Sequence, residues 1–195
     1  VAGPLLERGH RVVRWHQRGH GPSTVGDEGF AVERFGTDLA EVLEAVDARD
    51  AVVAGHSLGG MTVQAFAIGH PQVAADRTRG LVLVATAAGG LSARPLGRAT
   101  DSLERVGPLL DRALASRYGH VLVRGTLGKG ASHAAVRATR DHFVDTPFPT
   151  RHGILQGLKA MDLRAAGARI GVPTTVVVGS RAPLTPPAFS RGMAA

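Results

Sequence analysis

Four short apolar runs constrain the fold of this chain more than any other feature. Each is continuously apolar rather than alternating, which is typical of strands that are covered on both faces of a parallel sheet. Amphipathic or apolar helical patterns separate them, at residues 32–46 and 61–68. This alternation predicts an α/β sheet flanked by helices. The four candidate strands are Arg11–Trp15, Ala51–Ala54, Leu81–Ala85 and Thr174–Val178.

The composition favours one globular domain and excludes several classes of protein. The chain has 195 residues, of which 44% are hydrophobic and 20% charged, so it is neither disordered nor collagen-like. No apolar run is long enough to span a membrane. The net charge of +7 comes from scattered arginines without interleaved aromatic residues, a pattern that does not favour nucleic-acid binding. The absence of cysteine excludes disulfides, a thiolate nucleophile and cysteine-based zinc sites.

The region from about residue 90 to residue 159 departs from the strand–helix rhythm. Helical patterns cover Ala99–Tyr118 and Ala131–Phe143, and Val121–Val123 is its one candidate strand. A glycine-rich segment at Gly125–Gly130 and a proline-rich segment at Thr146–Thr150 join these pieces. We interpret the region as a mostly helical insertion over the sheet. The last residues, from Phe189 onward, have a helical pattern again.

The strongest chemical signal is the hexapeptide Gly55–Gly60, Gly-His-Ser-Leu-Gly-Gly. Its Ser57 is the centre of a G-x-S-x-G pattern that directly follows a buried strand and precedes a helix. Such a turn strains the serine and pushes its hydroxyl outward, and glycines flank it because a Cβ there would clash. The helix beginning at Leu58 supplies N–H groups and positive potential for an oxyanion. The alternative is a glycine-rich turn whose serine only caps the helix.

Four motifs in this order resemble the α/β-hydrolase fold family. They are His16–Ser23, Gly55–Gly60, Gly80–Gly90 and Val172–Pro186, which resemble the turn after its fourth strand, the nucleophile elbow, the sixth strand and the acid-bearing loop. The resemblance implies a partial α/β-hydrolase fold: a mostly parallel sheet flanked by helices, with a helical cap insertion. It divides the chain into core (1–90), cap (91–159) and core (160–195).

The resemblance also implies a Ser–acid–His triad with Ser57 as nucleophile and the Leu58 N–H as one oxyanion donor. The acid position of the Val172–Pro186 loop holds Ala182, and the fallback position at Thr86–Ala88 holds no carboxylate either. The family's first three strands, its second oxyanion loop and its eighth strand with the histidine have no counterpart. We therefore expect a chain truncated at both ends relative to the family, with impaired activity.

Nine histidines are available as a substitute base. His56 adjoins Ser57, where neighbouring side chains diverge, and His20 is more typical of a structural position. His16 stands where the family has an aspartate and could tie down its turn by hydrogen bonding. No cluster has the spacing of a metal site, so we expect neither metal nor cofactor. Four further histidines lie in the cap and could approach Ser57 from above: His120, His133, His142 and His152.

The leading hypothesis is serine-dependent hydrolysis of an ester, lactone or similar acyl bond in a small apolar molecule. The alternative is a non-catalytic fragment or binding module on a hydrolase scaffold. We expect a cytoplasmic protein with a small-molecule acyl substrate and no nucleic-acid or membrane partner; the oligomeric state stays open. The exposed sheet edges predict a marginally stable, aggregation-prone chain. Four cap residues are expected to set substrate choice: Leu109, Leu110, Phe143 and Phe148.

Overall fold

The computed structural model describes residues 2–91, 107–128 and 130–194. Within them, three parallel strands form one sheet in the order β1-β2-β3. Val53 pairs with Leu81, and Leu83 pairs with Val176. The α/β prediction and the resemblance to a partial α/β-hydrolase fold are confirmed. The strands are β1 (Ala51–His56), β2 (Thr78–Val84) and β3 (Thr174–Val177).

Helices connect and cover these strands. A 3-10 helix, Arg164–Arg169, precedes β3. The part of the candidate helix at Ala99–Tyr118 that precedes residue 107 lies outside the described residues, as does Lys129 of the Gly125–Gly130 segment. The helices are α1 (Ala2–Leu6), α2 (Val32–Ala45), α3 (Leu58–Gly69), α4 (Pro71–Arg77), α5 (residues 107–115), α6 (Gly119–Arg124), α7 (His133–Asp145), α8 (Phe148–Ala160) and α9 (Pro187–Ala194).

Two helices pack the core onto the sheet, and their sequences explain how. Helix α2 buries one stripe, including Phe35 at 0% exposure, and exposes its three glutamates, whereas Asp38 is half-buried. Helix α3 is buried on nearly every side from Gly60 to Ile68, which explains its uniformly apolar sequence. It ends at Gly69 with His70 as its C-cap, because Pro71 opens the next helix. Together α2, α3, β1 and β2 form the main hydrophobic cluster, and α3 contributes to a second one that includes Met161 and Leu163.

The expected strand at Arg11–Trp15 is wrong. Residues 10–16 pair with no strand of the described chain, and Val13 is 47% exposed. Instead, Trp15 packs against the main hydrophobic cluster, and an Arg11 guanidinium N–H donates to the carbonyl of Val46. A strand needs a hydrogen-bonding neighbour, and β1 is paired here with β2 alone. The apolar residues of this run therefore anchor a loop.

Two expectations for the insertion also need correction. Val121–Val123 lies in α6 instead of a strand, because three apolar residues do not distinguish helix from strand and only Val123 is buried there. The proline-rich segment joins the helices over fewer residues than expected: α8 already begins at Phe148, with a proline in its first turn, where proline is favoured. Two of the helical patterns in this region are confirmed where the structure describes them: residues 107–115 and α7 (His133–Asp145) are helical.

Candidate active site

Ser57 occupies the turn between β1, which ends at His56, and α3, which begins at Leu58. Its backbone has φ 52° and ψ −118°. A positive φ at a residue other than glycine costs about 1–3 kcal/mol and persists only where surrounding contacts enforce it. The predicted strand–turn–helix context and its strain are therefore both present.

Hydrogen bonds from three directions enforce this conformation. The Ser57 N–H donates to the carbonyl of Val84 on the neighbouring strand (3.0 Å). The Ser57 carbonyl accepts from the N–H groups of Gly60 (2.9 Å) and Met61 (3.2 Å) in the first turn of α3. The same carbonyl accepts from the Thr86 hydroxyl (2.8 Å). Both polar atoms of the Ser57 backbone are thus held by the surrounding fold.

The glycines around Ser57 differ in how much space each leaves for a side chain. A Cβ at Gly55 would lie 2.2 Å from the Gly59 carbonyl oxygen, so only glycine fits at position 55, two residues before the serine. A Cβ at Gly59 would meet nothing within 4 Å, so the expected clash on that side is wrong. The tight position is Gly60, where a Cβ would lie 2.7 Å from the Thr86 side chain.

The N-terminus of α3 gives the turn its electrostatic character. The first N–H groups of a helix have no acceptor inside the helix, and they carry the positive end of its dipole. Leu58 is the first residue of this helix and follows Ser57 directly. Its N–H belongs to the residue directly after Ser57, and N–H groups at a helix N-terminus can stabilise a negative oxygen.

The turn at His16–Ser23 is held by a buried arginine that sequence analysis did not single out. Arg18 is 7% exposed and forms a bidentate ion pair with Asp38 of α2, at 2.7 and 2.6 Å. Its third guanidinium nitrogen, Nη1, donates to the carbonyls of Val25 and Gly29. The hydrogen bonds to Asp38 raise the pKa of Arg18 above its ordinary value. The turn is thereby fixed to α2.

The same turn reaches the first turn of α3. The Gln17 amide donates to the Thr62 hydroxyl (2.7 Å), which donates to the Leu58 carbonyl (3.1 Å). The His16 carbonyl accepts a hydrogen bond from the Ser23 hydroxyl (2.8 Å). The His16 ring packs where a Cβ of Gly21 would lie. His16 thus contributes to the turn through its backbone and its ring packing.

The loop after β3 approaches the end of β2. The Thr185 hydroxyl donates to the Ala85 carbonyl (2.8 Å), and the Ala85 N–H donates to the Val177 carbonyl (2.8 Å). Ala182 sits in a turn closed by its own N–H and the Gly179 carbonyl. The loop therefore lies at the carboxyl edge of the sheet, and the side chain at its expected acid position is a methyl group.

Three of the candidate histidines make ring contacts with other parts of the chain. The rings of His20 and His142 stack at 5.5 Å, which joins the core turn to α7. Burial lowers the pKa of His20, and its ring Nδ1 lies 3.2 Å from the Arg18 carbonyl. His152 stacks on Phe148. Within residues 2–91, 107–128 and 130–194, no histidine is hydrogen-bonded to the Ser57 hydroxyl.

Helix α8 docks on the core at Phe30. A Cβ at Gly153 would lie 2.2 Å from the Phe30 ring, and one at Gly157 would lie 2.0 Å from its carbonyl oxygen. A shallow, mostly apolar cavity of about 450 Å³ lies beside this contact. A second cavity of about 370 Å³ is lined by Arg124 of α6 and Arg181 of the loop after β3. Ser57 lines neither cavity.

The described ranges hold neither a metal-ligand cluster nor a membrane-spanning helix. No group of three or more histidine, aspartate or glutamate side chains there could hold a metal ion. None of the helices described has the length and apolarity to cross a membrane.

Sequence comparisons find a family and relatives for this chain. The model of the serine aminopeptidase S33 family matches residues 1–195. The pimeloyl-[acyl-carrier protein] methyl ester esterase of Chromobacterium violaceum is 31% identical over 182 residues, which are 90% of this chain and 67% of that protein. The non-heme chloroperoxidase of Burkholderia pyrrocinia is 37% identical over 62 residues, 32% of this chain and 22% of that protein.

Solved structures extend the likeness. A hydrolase from Pseudomonas aeruginosa superposes with a TM-score of 0.75 and 29% identity, over 98% of this chain and 69% of that one. The enol-lactonase from Burkholderia xenovorans superposes with a TM-score of 0.65 and 26% identity, over 91% and 65% of the two chains. The chain thus spans about two thirds of each of these structures. With its whole length matched by the family model, the chain belongs to the serine aminopeptidase S33 family of α/β-hydrolase enzymes.

Proposed function

We propose that Ser57 is the nucleophile of a serine hydrolase that cleaves an ester, lactone or similar acyl bond of a small apolar molecule. The observation that carries the proposal is the positive φ of Ser57 between β1 and α3, held by hydrogen bonds from Val84, Gly60, Met61 and Thr86. Relatives named as an esterase and an enol-lactonase support the class of bond. The cap (91–159) would cover the substrate between the two core segments.

We propose the following reaction at this turn. The Ser57 oxygen attacks the acyl carbon while a general base takes its proton, and the carbonyl oxygen becomes an oxyanion facing the Leu58 N–H. The bond to the leaving alkoxide then breaks, and the alkoxide takes up a proton. Water attacks the resulting acyl-Ser57 ester, releasing the carboxylic acid and restoring the hydroxyl.

We assign the base to no residue of this chain, and Ala182 supplies no carboxylate to orient one. We therefore propose that turnover by this chain is slow. In a Ser–His–Asp triad, loss of the acid's function lowers the rate by about 10⁴ even when geometry is intact.

Reaction with a fluorophosphonate tests the nucleophile directly. The Ser57 oxygen bonds to phosphorus, the P–F bond breaks, and fluoride leaves while solvent takes the proton. We expect labelling that Ser57→Ala abolishes and Ser180→Ala, an exposed control, retains. Hydrolysis of p-nitrophenyl acetate should likewise be lost in Ser57→Ala and retained in Ser180→Ala. Labelling that survives in folded Ser57→Ala protein would refute the assignment.

The second candidate function is a non-catalytic binding module, which Ala182 specifically favours. This alternative predicts no labelling of the parent chain at a concentration where circular dichroism shows it folded. It also predicts that a small ester binds without being consumed, which equilibrium dialysis followed by product analysis would show.

A further inference from the structure

The peptide unit between Ser57 and Leu58 links two functions of the turn. A trans peptide is planar, and its carbonyl and N–H point in opposite directions. Whatever fixes the Ser57 carbonyl therefore also fixes the direction of the Leu58 N–H. This N–H is the oxyanion donor in the proposed function, and its value in catalysis depends on being oriented before the reaction begins.

Among the residues that the structure describes, one donor to the Ser57 carbonyl comes from outside the helix that it caps. The N–H groups of Gly60 and Met61 are the ordinary first-turn bonds of α3. The third donor is the hydroxyl of Thr86, at 2.8 Å, from the segment after β2. Thr86 is 0% exposed. Its two branches at Cβ restrict the rotation of its side chain, and the hydrogen bond to the Ser57 carbonyl fixes its hydroxyl.

Thr86 is itself held by the ends of two strands. The preceding residue, Ala85, has φ 44°, a strained conformation for alanine. Its N–H donates to Val177 at the end of β3, and its carbonyl accepts from Thr185 in the following loop, both at 2.8 Å. Thr86 also packs against Gly60, where a Cβ would lie 2.7 Å from its side chain.

We propose that Thr86 is a positioning residue that aims the Leu58 N–H at the oxyanion, with Thr185 holding Thr86 in place through Ala85. The inference rests on the proposed function of Ser57 and deepens it. It assigns the two threonines to orientation of the donor. The loop that lacks its acid would still support the turn through Thr185.

The test compares Thr86→Val, which keeps the shape of the side chain without the hydroxyl, with Thr86→Ser, which keeps the hydroxyl. The Ser57 carbonyl retains its two α3 donors in both variants, so neither leaves it unpaired. We measure the second-order rate constant of fluorophosphonate labelling per folded molecule, and the ¹H–¹⁵N resonance of the Leu58 amide. The expected result for Thr86→Val is a roughly tenfold slower reaction and a displaced Leu58 resonance, with both near parental values in Thr86→Ser.

Two outcomes overturn the inference: an unchanged Leu58 resonance in folded Thr86→Val, or a Thr86→Ser variant as impaired as Thr86→Val. If Thr86→Val does not fold, Thr185→Val replaces it, and a smaller displacement of the same resonance is expected. A parent chain that is not labelled at all refutes the proposed function instead. The Leu58 resonance then still decides whether Thr86 orients the donor.

Discussion

Replacing Gly55 by alanine is the sharpest test of how the turn is built, because Gly59 provides a matched control four residues away. The added methyl group at position 55 would lie 2.2 Å from the Gly59 oxygen, 2.3 Å from its carbon and 2.6 Å from the Gly60 nitrogen. All three are backbone atoms, which no side-chain rotation can move aside. The same methyl group at Gly59 would meet nothing within 4 Å.

The magnitude follows from these distances. Ordinary contacts begin near 3.4 Å, so the first turn of α3 would have to move by about 1 Å against a close-packed core. Overpacking costs about 1–3 kcal/mol where side chains can adjust, so we expect Gly55→Ala to lower the free energy of unfolding by about 3 kcal/mol or more. In a chain of this size that lowers Tm by roughly 6–12 °C. Gly59→Ala should be neutral or stabilising by up to about 1 kcal/mol, because alanine favours helix.

Thermal and urea unfolding followed by circular dichroism measure both variants, and fluorophosphonate labelling reports on Ser57. Gly55→Ala should lose labelling together with stability, whereas Gly59→Ala should keep its fold. Equal unfolding midpoints for the two variants would refute the steric account of the turn. A strongly destabilised Gly59→Ala would refute it as well, because it would show that the space beside Gly59 is not open.

Three further predictions concern the contacts around the turn. Arg18→Lys loses the bidentate pair with Asp38 and should lower the free energy of unfolding by about 2 kcal/mol, while Arg49→Lys, in an exposed pair, should change nothing measurable by urea titration. The pKa of His20 is lowered in the folded chain, so the unfolded chain binds a proton at this residue more readily. The contribution of His20 to the free energy of unfolding should therefore be fully present above the ordinary pKa of 6.5 and be lost as the pH falls below it. Unfolding midpoints of His20→Gln, measured over the same pH range, should fall less. Gly157→Ala should detach α8 from Phe30 and speed proteolysis of the cap, whereas Gly167→Ala, with nothing within 4 Å, should not.

The elements that could be predicted from the sequence are those determined by residues close together in the chain. The strand before Ser57, the glycine before it and the apolar helix after it lie within about twenty residues, and each follows from sterics or apolar periodicity. The β2 and β3 strands were predictable for the same reason, because their continuous apolar runs fit a sheet covered on both faces.

The remaining features depend on distant partners. Arg11–Trp15 has a strand-like composition, but a strand needs a neighbour that composition does not show. In the sequence, Thr86 was notable only as part of a position where the triad acid is absent. Its hydrogen bond to the Ser57 carbonyl joins residues 29 apart in the chain, which sequence patterns do not reveal. The pairing of Arg18 with Asp38 requires knowing that the turn packs against α2. The open space beside Gly59 likewise depends on what surrounds the turn in three dimensions.

The attachment of α8 to Phe30 has a consequence for how such a chain can diversify. Gly153 and Gly157 lie four residues apart on one side of the helix, so the seam is made of backbone against a ring and a carbonyl. Such a seam demands smallness at two positions of α8. Elsewhere on the helix Thr150 and Ile154 are buried as well, so evolution or a protein engineer can rewrite the cap's surface at the positions that keep contact with solvent and leave the anchorage untouched.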